Sequence, residues 1–456
     1  MGEAGQRGRM FGTDGVRGVA GHDLTARLAM DLGVAAATVL GRAESANGGP
    51  PRAVAVIGRD PRASGPFLEA AVVAGLASSG VDVLRLGVIP TPGVAYLTKA
   101  LGADFGVVIS ASHNPAQDNG IKFFGRGGVK LPDATEDQIE AELGQGAEPR
   151  TRFGRIAESG AEQERYVDHL LATLPAEPRL PLAGMRVVVD CAHGAAYQVA
   201  PRVLRRAGAE VIAIGAEPDG LNINEGCGST CLETLAAAVV GHRADAGVAY
   251  DGDADRCLAV DADGKPLDGD QILTVLATEM KESGRLARDG VVVTVMSNLG
   301  FHVAMRQAGI GVIETPVGDK HVSAAMRDGG YILGGEQSGH IILIEHATTG
   351  DGVLTSLQFL AAVNRHGVSV AAAAAMMRRY PQVLVNVPGD ASRLGPRVDA
   401  AVSAAQSQLG EQGRVLVRPS GTEPAIRLMV QAADANLAEL VIRQLAGEVR
   451  LALDGQ

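Results

Sequence analysis

Three times along the chain, a short Val/Ile-rich run leads into a longer Ala/Leu-rich stretch with helical spacing, and this alternation restricts the fold more than any other feature. In the first block, AVAVIG (53–58) precedes FLEAAVVAGLASSG, then VDVLRL and DFGVVIS. In the second, MRVVVD (185–190) leads to QVAPRVLRRAG, EVIAIG and DAGVAY. In the third, GVVVTVMS (290–297) leads to a helical pattern ending at Gln307, then to IGVIETPV and GYILGG. Strands that are apolar throughout are covered on both faces, and the helices joining them provide the cover. Each block therefore reads as an α/β unit on a mixed, largely parallel sheet. The tail differs. A polar stretch (390–396) is followed by a helical VDAAVSAAQSQLG, two strand-like runs around the turn in RVLVRPSGTEPAIRLMVQA, and the helix NLAELVIRQLAGEV. The expected fold class is α/β, with three similar mixed-sheet domains (1–165, 166–265, 266–380) and a smaller C-terminal α+β domain (381–456).

The 456 residues suffice for several hydrophobic cores. Lys plus Arg number 41 against 52 Asp plus Glu, a formal charge of -11. That balance argues against broad contact with nucleic acid or an anionic membrane, so any phosphate must be held by a few placed cations. Cys191, Cys227, Cys231 and Cys257 are too sparse for a disulfide framework. Cys227 and Cys231 approach the spacing of a zinc-ligand pair, but no second pair accompanies them, and reduced thiols are expected. The opening MGEAGQRGRM lacks an apolar run of signal-peptide type. The apolar stretch near 368–377 is too short to span a bilayer and is mostly alanine. A cytoplasmic location follows as the expectation.

Chemistry concentrates where the apolar runs stop, the place where open α/β folds bind ligands. In VVISASHNPAQDNGIKFF (107–124), small and polar residues follow a strand, and Ser112 would sit on a tight loop at its carboxyl end. A serine turn or helix cap fits the local pattern equally well. The adjacency of Ser112 and His113 is not evidence for a nucleophile–base pair, and no G-x-S-x-G elbow is present. In YDGDADRCLAV (250–260), Asp251, Asp253 and Asp255 alternate, so an extended chain points all three carboxylates one way. Such a set calls for a cation, and hard oxygen ligands suit Mg2+. The rival calcium loop lacks its glutamate at the twelfth position, where Ala262 stands; an acidic surface turn is the other alternative. Arg256 could hold a phosphate or form a structural ion pair. GGEQSGH (334–340) brings Glu336, Ser338 and His340 together, a set able to bind sugar hydroxyls or an amine, or an ordinary polar turn. In VRPSGTEPAIR (417–427), Ser420, Gly421 and Thr422 offer successive backbone N–H groups between Arg418 and Arg427, a plausible anion nest. Arg17, in the Gly-rich FGTDGVRG (11–18), and Lys122 are isolated basic residues that could contact phosphate. No Walker A or dinucleotide fingerprint occurs.

Taken in order, SASHNP, DGDADR, GEQSGH and RPSGTEP resemble the α-D-phosphohexomutase family over nearly the whole chain. The resemblance implies four domains around a central cleft and a phosphosugar mutase working through phosphoserine at Ser112. It assigns Asp251, Asp253, Asp255 and a phosphoserine oxygen to Mg2+, and Glu336, Ser338 and His340 to the sugar. Arg418, Ser420, Gly421, Thr422 and Arg427 fall on the distal phosphate loop. Arg17, Lys122, Arg256 and Lys320 match basic cleft positions, with Lys122 the candidate for proton transfer and His113 a support for the loop or phosphate. GEQSGH and the glycine of RPSGTEP favour glucosamine phosphate, with glucose or mannose phosphate as the alternative substrates. A sugar 1,6-bisphosphate is the implied intermediate and activator, and UDP-N-acetylglucosamine synthesis the implied destination. A homodimer is the base-rate expectation, and an unidentified enzyme must first phosphorylate Ser112.

Overall fold

The computed structural model describes residues 9–12, 14–41, 52–145, 152–177, 179–390, 394–419 and 425–453. Its first sheet is ordered Val16–Val19, Asp118–Gly125, Phe105–Ile109, Val54–Arg59, Asp82–Val88, Ile156–Glu158, with Val129–Lys130 attached to Asp118–Gly125. Val54–Arg59 runs parallel to both of its neighbours. All of Phe105–Ile109 is buried, as a strand covered on both faces must be. Helices Ala26–Leu40 and Gly65–Ser78 pack together so closely that a Cβ on Gly33 or Gly75 would collide with the facing backbone, at the Val72 or Met30 carbonyl. Leu32, Val72, Leu76, Ile57 and Phe105 form part of the core around them.

The second sheet is ordered Pro266–Leu267, Cys257–Asp261, Ala246–Tyr250, Arg186–Asp190, Glu210–Ile214. The third is ordered Gly311–Thr315, Gly290–Thr294, Leu333–Gly335, Ile341–Leu343. All three sheets share one device. A buried strand of the parallel part passes through a short connection into an antiparallel neighbour: Phe105–Ile109 into Asp118–Gly125, Ala246–Tyr250 into Cys257–Asp261, Leu333–Gly335 into Ile341–Leu343. Those three connections carry Ser112, the aspartate triplet, and the stretch from Glu336 to His340.

By internal contact the chain divides into Met1–Val295 with Gly311–Ala374, and Met296–Ile310 with Ala375–Gln456. The second unit is built on the antiparallel sheet Gln382–Pro388, Ala425–Ala432, Gly413–Pro419. Ile426, Leu428 and Val430 of its central strand pack with Val441, Leu445 and Val449 of helix Ala435–Leu453. Helix Leu299–Gln307 joins this unit: the Leu299 N–H donates to Gln431 Oε1 at 2.8 Å, and its cap Asn298 accepts the Tyr380 N–H at 2.9 Å. The four cysteines are free thiols. No helix among the described residues is long and apolar enough to cross a membrane.

Candidate active site

Ser112 lies three residues beyond its strand, 2 % exposed, with φ of +52°. A non-glycine residue holds that left-handed conformation only where its surroundings impose it. They do so through Arg62. This fully buried guanidinium pairs with Asp60 at 2.9 Å and donates to the carbonyls of Ser112 (3.0 Å), Asn114 (2.8 Å) and Asp118 (3.0 Å), and to that of Pro115. Asn224 adds a donor to the Ser112 carbonyl at 2.9 Å, and the Ser112 N–H donates to Ser110 Oγ. The hydroxyl of Ser112 donates to Asp251 Oδ2 at 2.5 Å, while His113 Nδ1 stands at 3.4 Å. Burial, with Arg256 and Arg17 nearby, pushes the His113 imidazole down to about 4. The ring is therefore neutral at pH 7.

Asp251, Asp253 and Asp255 are buried, and their ligand oxygens lie within 4.8 Å of one another. Burial and the two neighbouring carboxylates raise Asp251 well above the usual range. Burial opposes ionisation of Asp255 as well, but His340, Lys122 and Arg256 outweigh it and hold that group low. Thr91 donates its hydroxyl to Asp253 Oδ2 at 2.7 Å and its N–H to the Asp253 carbonyl at 3.0 Å. Gly252 is required by close approach: a Cβ there would stand 2.5 Å from the Ser112 carbonyl oxygen. The glycine lets the serine loop and the aspartate loop touch.

Several buried polar atoms here have no hydrogen-bond partner, and their chemistry sorts cleanly. Asp253 Oδ1 and Asp255 Oδ1 are acceptors awaiting a cation. Among the described residues Arg17 Nε and Arg256 Nε make no hydrogen bond, Arg256 Nε standing 3.9 Å from Asp255 Oδ1 in a long ion pair, and Ser338 Oγ is likewise unbonded. Buried groups of this kind are normally paired, and the chemistry of these donors suits a hard divalent cation and an anion. The residues fit a metal ion.

The other expected residues divide. Lys122 is buried between Asp14 (2.5 Å) and Asp253 (2.8 Å), and these carboxylates overcome the burial penalty and raise its pKa. As a paired ammonium it must first give up a proton, which those carboxylates oppose, before it can act as a base. Glu336 accepts the Gly318 N–H at 3.2 Å. His340 turns inward at 3 % exposure, with Nδ1 3.5 Å from Asp255 and Nε2 3.4 Å from Asp319 and 3.1 Å from the Gly350 nitrogen. In this geometry His340 braces Asp255. Lys320 is engaged by Glu136 (2.8 Å) and Asp133 (3.0 Å) and is not a free cation. In the second unit, Arg418 and Arg427 face each other across paired strands and line one cavity with Asn386. Burial and the like charge of Arg427 lower the Arg418 pKa. Two facing cations are mutually destabilising unless an anion joins them. Ser420, Gly421 and Thr422 lie outside the described residues.

Sequence reasoning missed Asp60 and Arg62 in GRDPR (58–62), Thr91, Asp14 and Asp319. The GRDPR stretch sets an aspartate between two arginines at the end of an apolar strand, which is the signal that could have found Asp60 and Arg62.

These features bring a serine hydroxyl, a buried aspartate triplet able to hold a metal ion and buried basic side chains together on one set of loops. Family models for phosphoglucomutase/phosphomannomutase match the chain in succession: α/β/α domain I at residues 8–150, domain II at 164–264, domain III at 268–380 and the C-terminal domain at 370–448. The chain belongs to this family, the α-D-phosphohexomutases. It is 60% identical over 447 residues to the phosphoglucosamine mutase of Thermobifida fusca, covering 97% of this chain and 98% of that one. To the phosphoglucosamine mutase of Streptomyces griseus it is 58% identical over 456 residues, covering 98% and 100%. In fold it matches the crystal structure of a phosphoglucomutase/phosphomannomutase family protein from Burkholderia thailandensis, with a TM-score of 0.80, 24% identity and 97% of both chains covered.

Proposed function

We propose that this chain interconverts glucosamine 6-phosphate and glucosamine 1-phosphate through a phosphorylated Ser112 and a glucosamine 1,6-bisphosphate intermediate. The observation that carries this reading is the set of unpartnered buried atoms, cation-seeking oxygens on Asp253 and Asp255 beside anion-seeking nitrogens on Arg17 and Arg256. The amino-sugar assignment is supported by relatives of 56–60% identity that carry the name phosphoglucosamine mutase over nearly their full length.

In this mechanism Asp251, Asp253 and Asp255, with a phosphoserine oxygen, would hold Mg2+, which when bound offsets negative charge on the transferring phosphoryl group. The Arg62 clamp presents Ser112 on a fixed loop, so little reorganisation precedes transfer. Arg17 and Arg256 take phosphoryl oxygens with their free N–H groups. Lys122, in its neutral amine form, accepts the proton of the attacking sugar hydroxyl, and the departing Ser112 oxygen takes a proton back. Glu336 and Ser338 bind the sugar, and Glu336 meets the 2-ammonium. Arg418, Ser420, Gly421, Thr422 and Arg427 hold the phosphate that is not reacting. The bisphosphate then reorients and returns its other phosphate to Ser112. The same reading makes the enzyme a cytoplasmic homodimer, with Ser112 first loaded by a separate phosphorylating enzyme.

The deciding experiment compares kcat/KM for glucosamine 6-phosphate, glucose 6-phosphate and mannose 6-phosphate, with Mg2+, after priming with sugar bisphosphate. A marked preference for the amino sugar is expected. Equal or better use of the neutral sugars would overturn the substrate assignment and leave the phosphoserine mechanism standing. Ser112→Ala should abolish turnover with an unchanged circular dichroism spectrum; retained activity in a clean preparation would overturn the mechanism itself.

A further inference from the structure

The charged groups of the site are linked into an open ring of ion pairs, part of which the mechanism above leaves without a role. From Asp253 the ring passes to Lys122 at 2.8 Å and on to Asp14 at 2.5 Å. Asp14 also binds Arg17 at 2.7 Å and, through its other oxygen, Lys130 at 2.9 Å. Lys130 pairs with Asp319, which lies 3.4 Å from His340 Nε2, and His340 Nδ1 returns to Asp255 at 3.5 Å. The ring thus begins and ends on two proposed metal ligands. Its members come from different blocks. Lys122 lies on Asp118–Gly125 and Lys130 on Val129–Lys130 of the first sheet; Asp319 opens helix Asp319–Gly329, and His340 precedes Ile341–Leu343 of the third.

Asp14 is the branch point, one carboxylate serving three cations. A lysine ammonium rides on a flexible four-carbon stem and is placed only by its partners. Without Asp14, Lys122 keeps a single ion-pair partner, Asp253, and competes more strongly for the oxygen that a metal needs. Among the described residues, Arg17 then has no ion-pair partner left and Lys130 retains only Asp319. We infer that Asp14 is a positioning residue: it sets Arg17 and Lys122 for the reacting phosphate and, through Lys130 and Asp319, steadies His340 against Asp255. This rests on the mutase reading for the reacting groups, though not for the metal site.

The test uses the full-length protein with Asp14→Asn, which preserves shape and removes charge. Mg2+ binding is measured by titration calorimetry without substrate, and kcat and KM are measured after priming. Mg2+ affinity is expected to fall about tenfold, the usual effect of losing an outer partner of a metal ligand. kcat is expected to fall by about 10²-fold, as for a misplacement near 1 Å, with a smaller change in KM. Asp14→Glu, which restores the charge, should recover most of the Mg2+ affinity. A folded Asp14→Asn protein with wild-type Mg2+ affinity and kcat overturns the inference. If that variant does not fold, Asp319→Asn cuts the ring on its other arm; unchanged Mg2+ affinity and kcat there overturn it equally. If the wild type isomerises no sugar phosphate, the mutase reading fails, while the calorimetric comparison still decides the ring.

Discussion

At the scale of single residues, the candidate nucleophile is held in place by groups that never approach the chemistry. Ser112 adopts a left-handed backbone because Arg62 gathers carbonyls of its loop, and Arg62 can be buried only because Asp60 neutralises it. Arg62→Ala would leave the Asp60 carboxylate buried without its cation, and a loss of about 3–5 kcal/mol is expected. Scanning calorimetry measures it, and a fall in kcat should accompany it. Gly252→Ala acts differently. Its new Cβ meets backbone, so the serine and aspartate loops must separate, at a stability cost of about 1–3 kcal/mol. The larger expected effect is on turnover, about 10²-fold in kcat, read from steady-state kinetics beside the melting curve. Ser112 and the three aspartates were legible as residues because their motifs are dense and local. The engagement of Lys320 was not, since its partners Glu136 and Asp133 lie far away in sequence.

At the scale of elements, the recurring device is the hairpin after a buried strand. Three sheets use it, each after a strand buried throughout; the C-terminal pair Gly413–Pro419 and Ala425–Ala432 is also antiparallel, but its first strand is only half-buried. An antiparallel return allows a short connection, whereas a parallel crossover needs a helix, so polar residues can be packed tightly at the strand's end. Apolar runs announced the buried strands, but the direction of the next strand depends on pairing and left no local mark. Helix Gly352–His366 shows a second dependence on context. Its cap, Asp351, accepts the Leu354 N–H at 2.9 Å and the Tyr166 hydroxyl at 2.7 Å. Burial outweighs these bonds and raises the carboxyl from 3.8 to about 6. A raised folded-state pKa means that the ionised form is penalised. The associated stability is fully present below about pH 4 and lost as the pH rises through 6, by roughly 3 kcal/mol at pH 8. Asp351→Asn, which retains a capping side chain, should flatten that part of the pH–stability profile and melt later than wild type at pH 8; unchanged curves would refute the assignment.

At the scale of the whole molecule, the serine loop, the aspartate loop and the His340 hairpin come from three separate sheets and meet around one set of acceptors. A cation bound there joins segments distant in sequence, so binding is linked to folding. Mg2+ at a hundred times its dissociation constant should add about 2.7 kcal/mol to the stability of the metal-free protein. Chelation should reverse the gain, and Asp253→Asn should abolish most of it, both measured by calorimetry. The sequence by itself determined the α/β blocks, the smaller C-terminal unit and the dense polar stretches that carry the candidate site residues, because periodicity and dense polar motifs are local properties of the chain. Only the tertiary structure decided that helix Leu299–Gln307 packs with the C-terminal sheet, that His340 turns toward Asp255, and that Asp14 gathers three cations. Each of these depends on which distant groups share a buried space, where an unpaired charge is too costly to leave and its partner can come from anywhere in the chain.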